Sequence, residues 1–274
     1  MMKLVFTVCL LTVIYQSSHL AKSSKSEGKS IKFSYLQILR EKRLVNEKRI
    51  ARYNDIVGVS SSNVIGYSNG NDSFISNEDN YLYGIYMGIK WQCVEYARRW
   101  TFLRKSSIFE SVNGANDMWN QLKYIENVVE KKKYPLKKHS NGHRNRPINE
   151  SYLIYPIQKD MPYGHVAIIV DVLTNSIRVA EQNFYFHYWK GNYSREIPIL
   201  FKNGLYYIED KYQVYGWIEI NDNKQLKPLD KLTIETIEKK NKFFLNSASY
   251  YQKSNFIFFT LFIYNLMLFQ YLHL

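Results

Sequence analysis

The chain has 274 residues, 46% of them hydrophobic, and its 24 Tyr, 15 Phe and 5 Trp supply material for a packed core. Only 12 Gly and 6 Pro exclude a collagen-like or Gly/Pro-rich disordered chain, and two cysteines exclude a disulfide-stapled miniprotein. The net charge of +13 favours contact with anionic surfaces or acidic substrates and carries no information about fold.

Met1-Met2-Lys3 precedes an apolar run from Leu4 to Tyr15 that is too short to span a membrane. Residues 1–21 therefore read as a secretory signal peptide, against the alternative of a buried N-terminal helix. Residues 22–53 are dense in Lys, Arg and Ser, with Tyr35, Ile38, Leu39, Leu44, Val45 and Ile50 at loose helical spacing. They predict an exposed helix with a solvated basic face. Turn residues dominate 54–80, around short extended pieces such as Val64-Ile65. Helices are predicted over Trp91–Leu103 and about Asn116–Val129.

Residues 131–147 read as a basic loop. It lacks the aromatic interleaving of single-strand binders, so no nucleic-acid partner is expected. His139 and His143 lie within it beside Gly142, without a helical zinc motif, so no metal is expected. Strands are predicted at Tyr152–Tyr155, His165–Val172, Ile177–Gln182, Ile197–Phe201, Leu205–Ile208 and Val214–Ile220. Helices first and an antiparallel meander second give an α+β architecture.

Residues 223–255 form a linker that contains the small residues Asn246-Ser247-Ala248-Ser249. Residues 256–274 contain no Asp, Glu, Lys or Arg. Small residues, a polar spacer and a hydrophobic tail are the layout of a glycosylphosphatidylinositol attachment signal; a C-terminal membrane helix is the alternative. Sequons at Asn71, Asn149 and Asn192 fit an exported glycoprotein. The expected location is the extracellular face of the plasma membrane.

Removal of the signal would take Cys9 with it and leave Cys93 as the mature chain's single thiol. Such a thiol is reactive, bridged to another molecule, or buried and inert. Cys93 opens the helix that follows Gly88, and a helix start offers unpaired N–H groups and partial positive charge. Both stabilise a thiolate, and the same N–H groups can receive an oxyanion. A base is offered by Gly164-His165, at the mouth of an apolar strand. If the hairpin from that strand to Ile177–Gln182 pairs with an even residue sum, His165 lies opposite Asn183 or its near neighbour. Glu181 then shares its face as an orienting acid; an odd sum puts Glu181 on the opposite face.

Three segments carry a resemblance: Lys90-Trp91-Gln92-Cys93-Val94-Glu95-Tyr96-Ala97-Arg98-Arg99, Gly164-His165-Val166-Ala167-Ile168-Ile169 and Val179-Ala180-Glu181-Gln182-Asn183. In this order they resemble the amidase domain of bifunctional glutathionylspermidine synthetase/amidases and of trypanothione synthetases. These belong to the CHAP group of cysteine, histidine-dependent amidohydrolases/peptidases, with a papain-like fold. The resemblance runs from about Asn54 to Asn221, and Tyr215-Gly216-Trp217 resembles the closing strand; the domain is placed at 54–222. It implies Cys93 as nucleophile, His165 as base and acid, and Glu181 as orienting acid. It also implies Gln92 and Asn183 flanking the site, and Arg98 gripping a substrate carboxylate as a fork. By position alone, Arg98 serves equally as an i, i+3 ion-pair partner of Glu95. The implied activity needs no cofactor. Its expected substrate is a glutathione–polyamine amide, with peptidoglycan cleavage on the same residues or a non-catalytic surface binding protein as alternatives.

Overall fold

The structure, a computed structural model, describes residues 49–71 and 73–241. The architecture below belongs to the unit that begins at Ile50. The expected signal peptide, most of the basic segment, the anchor-attachment region at 246–249 and the hydrophobic tail lie outside the described residues. The described end of the basic segment departs from the predicted helix. Ile50 bridges to His187, and the buried Ala51 donates its N–H to Phe186 O at 2.7 Å. Tertiary pairing overrides the helical spacing there.

Two short hairpins come first: β1 (Ile56–Val59) with β2 (Ile65–Tyr67), and β3 (Asp79–Leu82) with β4 (Ile85–Ile89). Helix α1 (Cys93–Lys105) follows, then β5 (Ser107–Ile108) and the shorter helix α2 (Ala115–Gln121). The chain then lays down β6 (Tyr124–Asn127), β7 (Lys133–Ser140), β8 (Ser151–Tyr155), β9 (His165–Val172), β10 (Ser176–Ala180), β11 (Arg195–Lys202), β12 (Leu205–Ile208) and β13 (Gly216–Ile220). Strands β5–β13 form a nine-stranded sheet in the order β12-β11-β10-β9-β8-β13-β7-β6-β5. Its pairings are antiparallel, and the fold class is α+β.

Two predicted elements change. The helix expected to reach Val129 stops at Gln121, because Tyr124, Ile125 and Glu126 pair with Pro135, Tyr134 and Lys133. The basic loop is largely strand β7, which pairs with β6 on one side and β13 on the other. Its lysines hide the pattern: Tyr134 and His139 turn inward while Lys133, Lys137 and Lys138 stay exposed.

Strand β9 is central, and from His165 to Val170 it is buried on both faces. Val166 and Ile168 join one cluster with Tyr96, Ala97 and Trp100 of α1. Ala167 and Ile169 join a second with Leu153, Ile177, Val179 and Trp217. Helix α1 thus lies on one face of the strand that begins with His165.

The β9–β10 register decides the site. Near the turn, Ile177 pairs with Val172 and Arg178 with Asp171; beyond an irregularity, Val179 pairs with Ile169 and Ala180 with Ile168. The hairpin starts in the odd register, and one extra residue, Val170, acts as a bulge that converts it to the even one. Continued by one residue, the converted register puts Glu181 on the face of His165.

Gly164 holds the entry to β9. Its φ is +69°, and a Cβ there would sit 2.5 Å from Tyr155 O and 3.0 Å from Asn116 N. Gly164→Ala therefore meets both a left-handed backbone and a backbone clash. We predict a loss of roughly 1–3 kcal/mol from strain alone, read as a lower melting temperature; an unchanged value would contradict it.

Candidate active site

Helix α1 begins at Cys93 after Gln92, whose backbone is extended and whose side chain makes no capping hydrogen bond. The first-turn N–H groups are therefore not capped by that side chain. Backbone N–H groups of Val94 and Val166 reach the Cys93 sulfur, as does the His165 ring. Burial alone pushes this thiol up, but the His165 charge and these hydrogen bonds outweigh burial and hold it below the ordinary thiol range.

His165 is 3% exposed, buried at the start of β9. Its Nε2 lies 2.9 Å from Glu181 Oε2, which leaves Nδ1 for the sulfur. Burial opposes a charged ring, but the Cys93 thiolate and the Glu181 carboxylate hold its pKa up at about 9. The pair is thus set toward thiolate and imidazolium. Glu181 is 2% exposed. Burial disfavours its charge, but Arg195 and His165 hold its pKa down at about 2.

Arg195 is the part that sequence reasoning missed. Its Nε donates to Glu181 Oε1 at 2.6 Å and its Nη2 to Oε2 at 3.2 Å. Nη1 donates to Asp210 Oδ2 at 2.6 Å, and the Tyr155 hydroxyl donates to that same oxygen at 2.7 Å. Ser194 Oγ donates to Glu181 Oε1 at 3.1 Å. No local motif marks Arg195; its role appears only when β11 pairs with β10 and sets it opposite Val179.

The flanking amides form a chain. Asn183 Nδ2 donates to Gln92 Oε1 at 2.8 Å, and Asn183 Oδ1 accepts from Asn69 Nδ2 at 3.2 Å. Gln92 Nε2 in turn donates to Asn69 Oδ1 at 3.3 Å. Gln92 and Asn183 are bonded to each other, and both reach Asn69, which the sequence does not single out. The i, i+3 pair of Glu95 with Arg98 does not form: Glu95 bonds Arg99 at 2.7 Å, Asn80 at 2.8 Å and Gln182 at 3.0 Å.

A cavity of about 340 Å³ opens beside the thiol, with Gln92, Cys93 and Arg98 in its wall and the half-exposed Tyr163 and Ile75 contributing apolar surface. Arg98 is buried; Nε donates to Tyr86 O at 3.0 Å and Nη1 to Phe109 O. With Nε and Nη1 engaged by backbone carbonyls, Nη2 is the nitrogen left to lead the expected grip on a carboxylate. Burial lowers the Arg98 pKa from its ordinary value. His165, Glu181 and Asn183 do not line the cavity.

Elsewhere, Asn71, Asn149 and Asn192 are exposed. His139 is buried, with Nε2 2.8 Å from Glu219 Oε2 and its ring stacked on Trp217. Among the described residues there is no group of three or more His, Cys, Asp or Glu placed to hold a metal ion. No helix among them is long and apolar enough to cross a membrane.

Residues 84–183 match the CHAP domain and form one. Over 202 residues the chain is 30% identical to the bifunctional glutathionylspermidine synthetase/amidase of Escherichia coli, covering 69% of this chain and 32% of the relative. It is 31% identical over 158 residues to the trypanothione synthetase of Crithidia fasciculata, covering 58% and 24%. A glutathionylspermidine synthase of Crithidia fasciculata is 26% identical over 189 residues, covering 61% and 26%. The chain thus spans about a quarter to a third of the length of these relatives.

Three perturbed groups make stability depend on pH, and Cys93, held below its ordinary value, opposes the alkaline effect of His165. His165, raised to about 9, contributes stability present in full below its ordinary value near 6.5 and lost as pH rises through 9. Glu181, lowered to about 2, contributes stability present above about 4.5 and lost as pH falls toward 2. We predict a melting temperature that falls as pH drops from about 4.5 toward 2, with a smaller fall in Glu181→Gln; an acid fall of equal size in that variant would contradict the part given to the carboxylate.

Proposed function

We propose that the protein is a cysteine-dependent amidase acting on a glutathionylspermidine-type amide, in which a peptide acyl group is joined to a polyamine. The observation that carries this reading is the 2.9 Å contact from His165 to Glu181, with the Cys93 thiol at the other side of the ring. In that geometry the ring is held in one orientation, and the sulfur has a proton acceptor beside it. The similarity to a synthetase/amidase supports the same reading.

The thiolate attacks the amide carbon, and a C–S bond forms as the carbonyl electrons move onto oxygen. The Cys93 N–H and the Gln92 amide receive that oxyanion. The carbonyl re-forms, the C–N bond breaks, and His165 gives its proton to the departing amine. Water then attacks the thioester with His165 as base, and the acid leaves as the thiol is restored. Glu181 stays ionised and holds the ring throughout.

The cavity supports an acyl half that carries a carboxylate. Arg98 is the cation in its wall, and the carboxylate of Glu95 is already bonded to Arg99, Asn80 and Gln182. Export and surface anchoring belong to the same proposal. Their support is the apolar run at 4–15, the uncharged stretch 256–274 and the exposure of Asn71, Asn149 and Asn192.

Incubation with glutathionylspermidine, beside a peptidoglycan panel, is expected to release glutathione and the free polyamine. Cys93→Ala and His165→Ala should each lose about three orders of magnitude or more in turnover; activity on cell wall alone would overturn the substrate. Arg98→Met removes the charge-assisted hydrogen bond to the acyl carboxylate, together with the bonds to Tyr86 O and Phe109 O, and should raise KM about 10- to 100-fold with kcat little changed. An unchanged KM would place the acyl carboxylate elsewhere. The protein secreted from a eukaryotic host should gain mobility on treatment with an N-glycosidase, and no change would remove the glycoprotein reading.

A further inference from the structure

We propose that Arg195 is a positioning residue for this site: gripping Glu181 with two nitrogens and tied to Asp210 by a third, it keeps the carboxylate ionised and aimed at His165. This rests on the Cys93–His165 pair of the amidase reading and adds an element that the pair alone does not require.

The geometry is that of a filled coordination shell. Glu181 Oε1 accepts from Arg195 Nε at 2.6 Å and from Ser194 Oγ at 3.1 Å; Oε2 accepts from His165 Nε2 at 2.9 Å and from Arg195 Nη2 at 3.2 Å. With both oxygens occupied by Arg195 in a fork, the carboxylate cannot rotate without breaking two charge-assisted bonds. Arg195 is itself held on three sides. Asp210 takes Nη1 at 2.6 Å, the Tyr155 hydroxyl accepts from Nη2 at 3.0 Å, and the Phe184 ring lies 3.7 Å from the guanidinium carbon. Phe184 also covers the His165 ring, with centroids 4.9 Å apart. One aromatic side chain thus screens both the base and the cation behind it, and water is kept from a pair that it would weaken.

Charge balance explains why so large a cation is tolerated beside an imidazolium. Arg195 and His165 face Glu181, Asp210 and the Cys93 thiolate, so positive and negative groups nearly match. The other charged groups in reach are Lys211, which packs against the Phe184, Tyr185 and Tyr212 rings, and the Glu95–Arg99 pair on α1. An uncompensated carboxylate at Glu181 would take up a proton, and a protonated Glu181 no longer holds the imidazolium. Removing the guanidinium charge raises the proton affinity of every group around it. The acid limit of the thiolate–imidazolium pair therefore moves up.

The test is the pH dependence of Cys93 alkylation by iodoacetamide in the full chain, which needs no amide substrate. Wild type should react well below the ordinary thiol range. In Arg195→Gln the acid limb of the rate should rise by at least about one pH unit, the size expected when a close opposite charge is lost. In Arg195→Lys, which keeps charge but not the fork, the rise should be smaller but measurable. In Asp210→Asn, which frees Arg195 to act fully on Glu181, the limb should not rise, although melting temperature falls. Superimposed profiles for wild type and Arg195→Gln, with only the melting temperature lowered, would overturn the proposal and reduce Arg195 to a structural role. Should Arg195→Gln not fold, an unshifted limb in Arg195→Lys does the same. A wild-type thiol that reacts only in the ordinary range overturns instead the amidase reading beneath it.

Discussion

A carboxylate enclosed as fully as that of Glu181 is the most expensive group in this fold to keep charged, and the rest of the site follows from how it is kept so. Desolvation alone would leave it protonated and useless as a partner for an imidazolium. Arg195, Ser194 and His165 fill both oxygens. The carboxylate then does for His165 what Arg195 does for it, and the imidazolium in turn holds the proton that Cys93 gives up. Charge is passed by alternation from Asp210 through Arg195, Glu181 and His165 to the sulfur. Each link is short and shielded, so each interaction is stronger than it would be in water.

That chain exists because of backbone features that have nothing to do with chemistry. The bulge at Val170 sets the parity of the β9–β10 hairpin, and parity alone decides whether Glu181 shares a face with His165. Gly164 lets the chain turn sharply into β9 against Tyr155 and Asn116. In helix α1, Glu95, Arg98, Arg99 and Lys105 are buried with the aromatics. Its inward charges are paired or bonded to backbone carbonyls, and they fasten the helix to β4 and to the loop after β10, so the sulfur is held at a fixed point. Beyond the helix, Glu95 bonds Asn80 and Gln182, and Arg99 bonds Ile65 O and the same Gln182.

Much of this was legible in the sequence, for identifiable reasons. Strand β9 and strand β12 have the predicted limits because their apolar runs end at clear turn residues. Cys93 at the start of α1 follows from the break at Gly88 and the helical run after it. The even-sum condition stated from the sequence is the register found at the His165 end, yet the turn end obeys the odd one. A bulge inserts one residue without any compositional mark, so the sequence poses parity as a condition and leaves its answer to the folded hairpin. The strand nature of β7 was hidden by lysines on its exposed face, and the shortness of α2 by the tertiary pairing of Tyr124 and Ile125. Arg195 and Asp210 could not be found by local reading at all. They are neighbours only through β10–β11 pairing and the return of the chain after β12. Asn69 escaped in the same way, within a segment that reads as turn chemistry.

The ionisation of one sulfur is the claim that all the chemistry needs. It is measured most directly by titrating the ultraviolet absorbance of the thiolate in the protein against Cys93→Ala, and repeating the titration in His165→Ala. A thiolate step well below the ordinary thiol range near 8.5, moving up into or above that range when the imidazole is removed, is the expected result. A step already at or above the ordinary range in the intact protein, or one indifferent to His165, would contradict the thiolate–imidazolium pair and with it the proposed reaction.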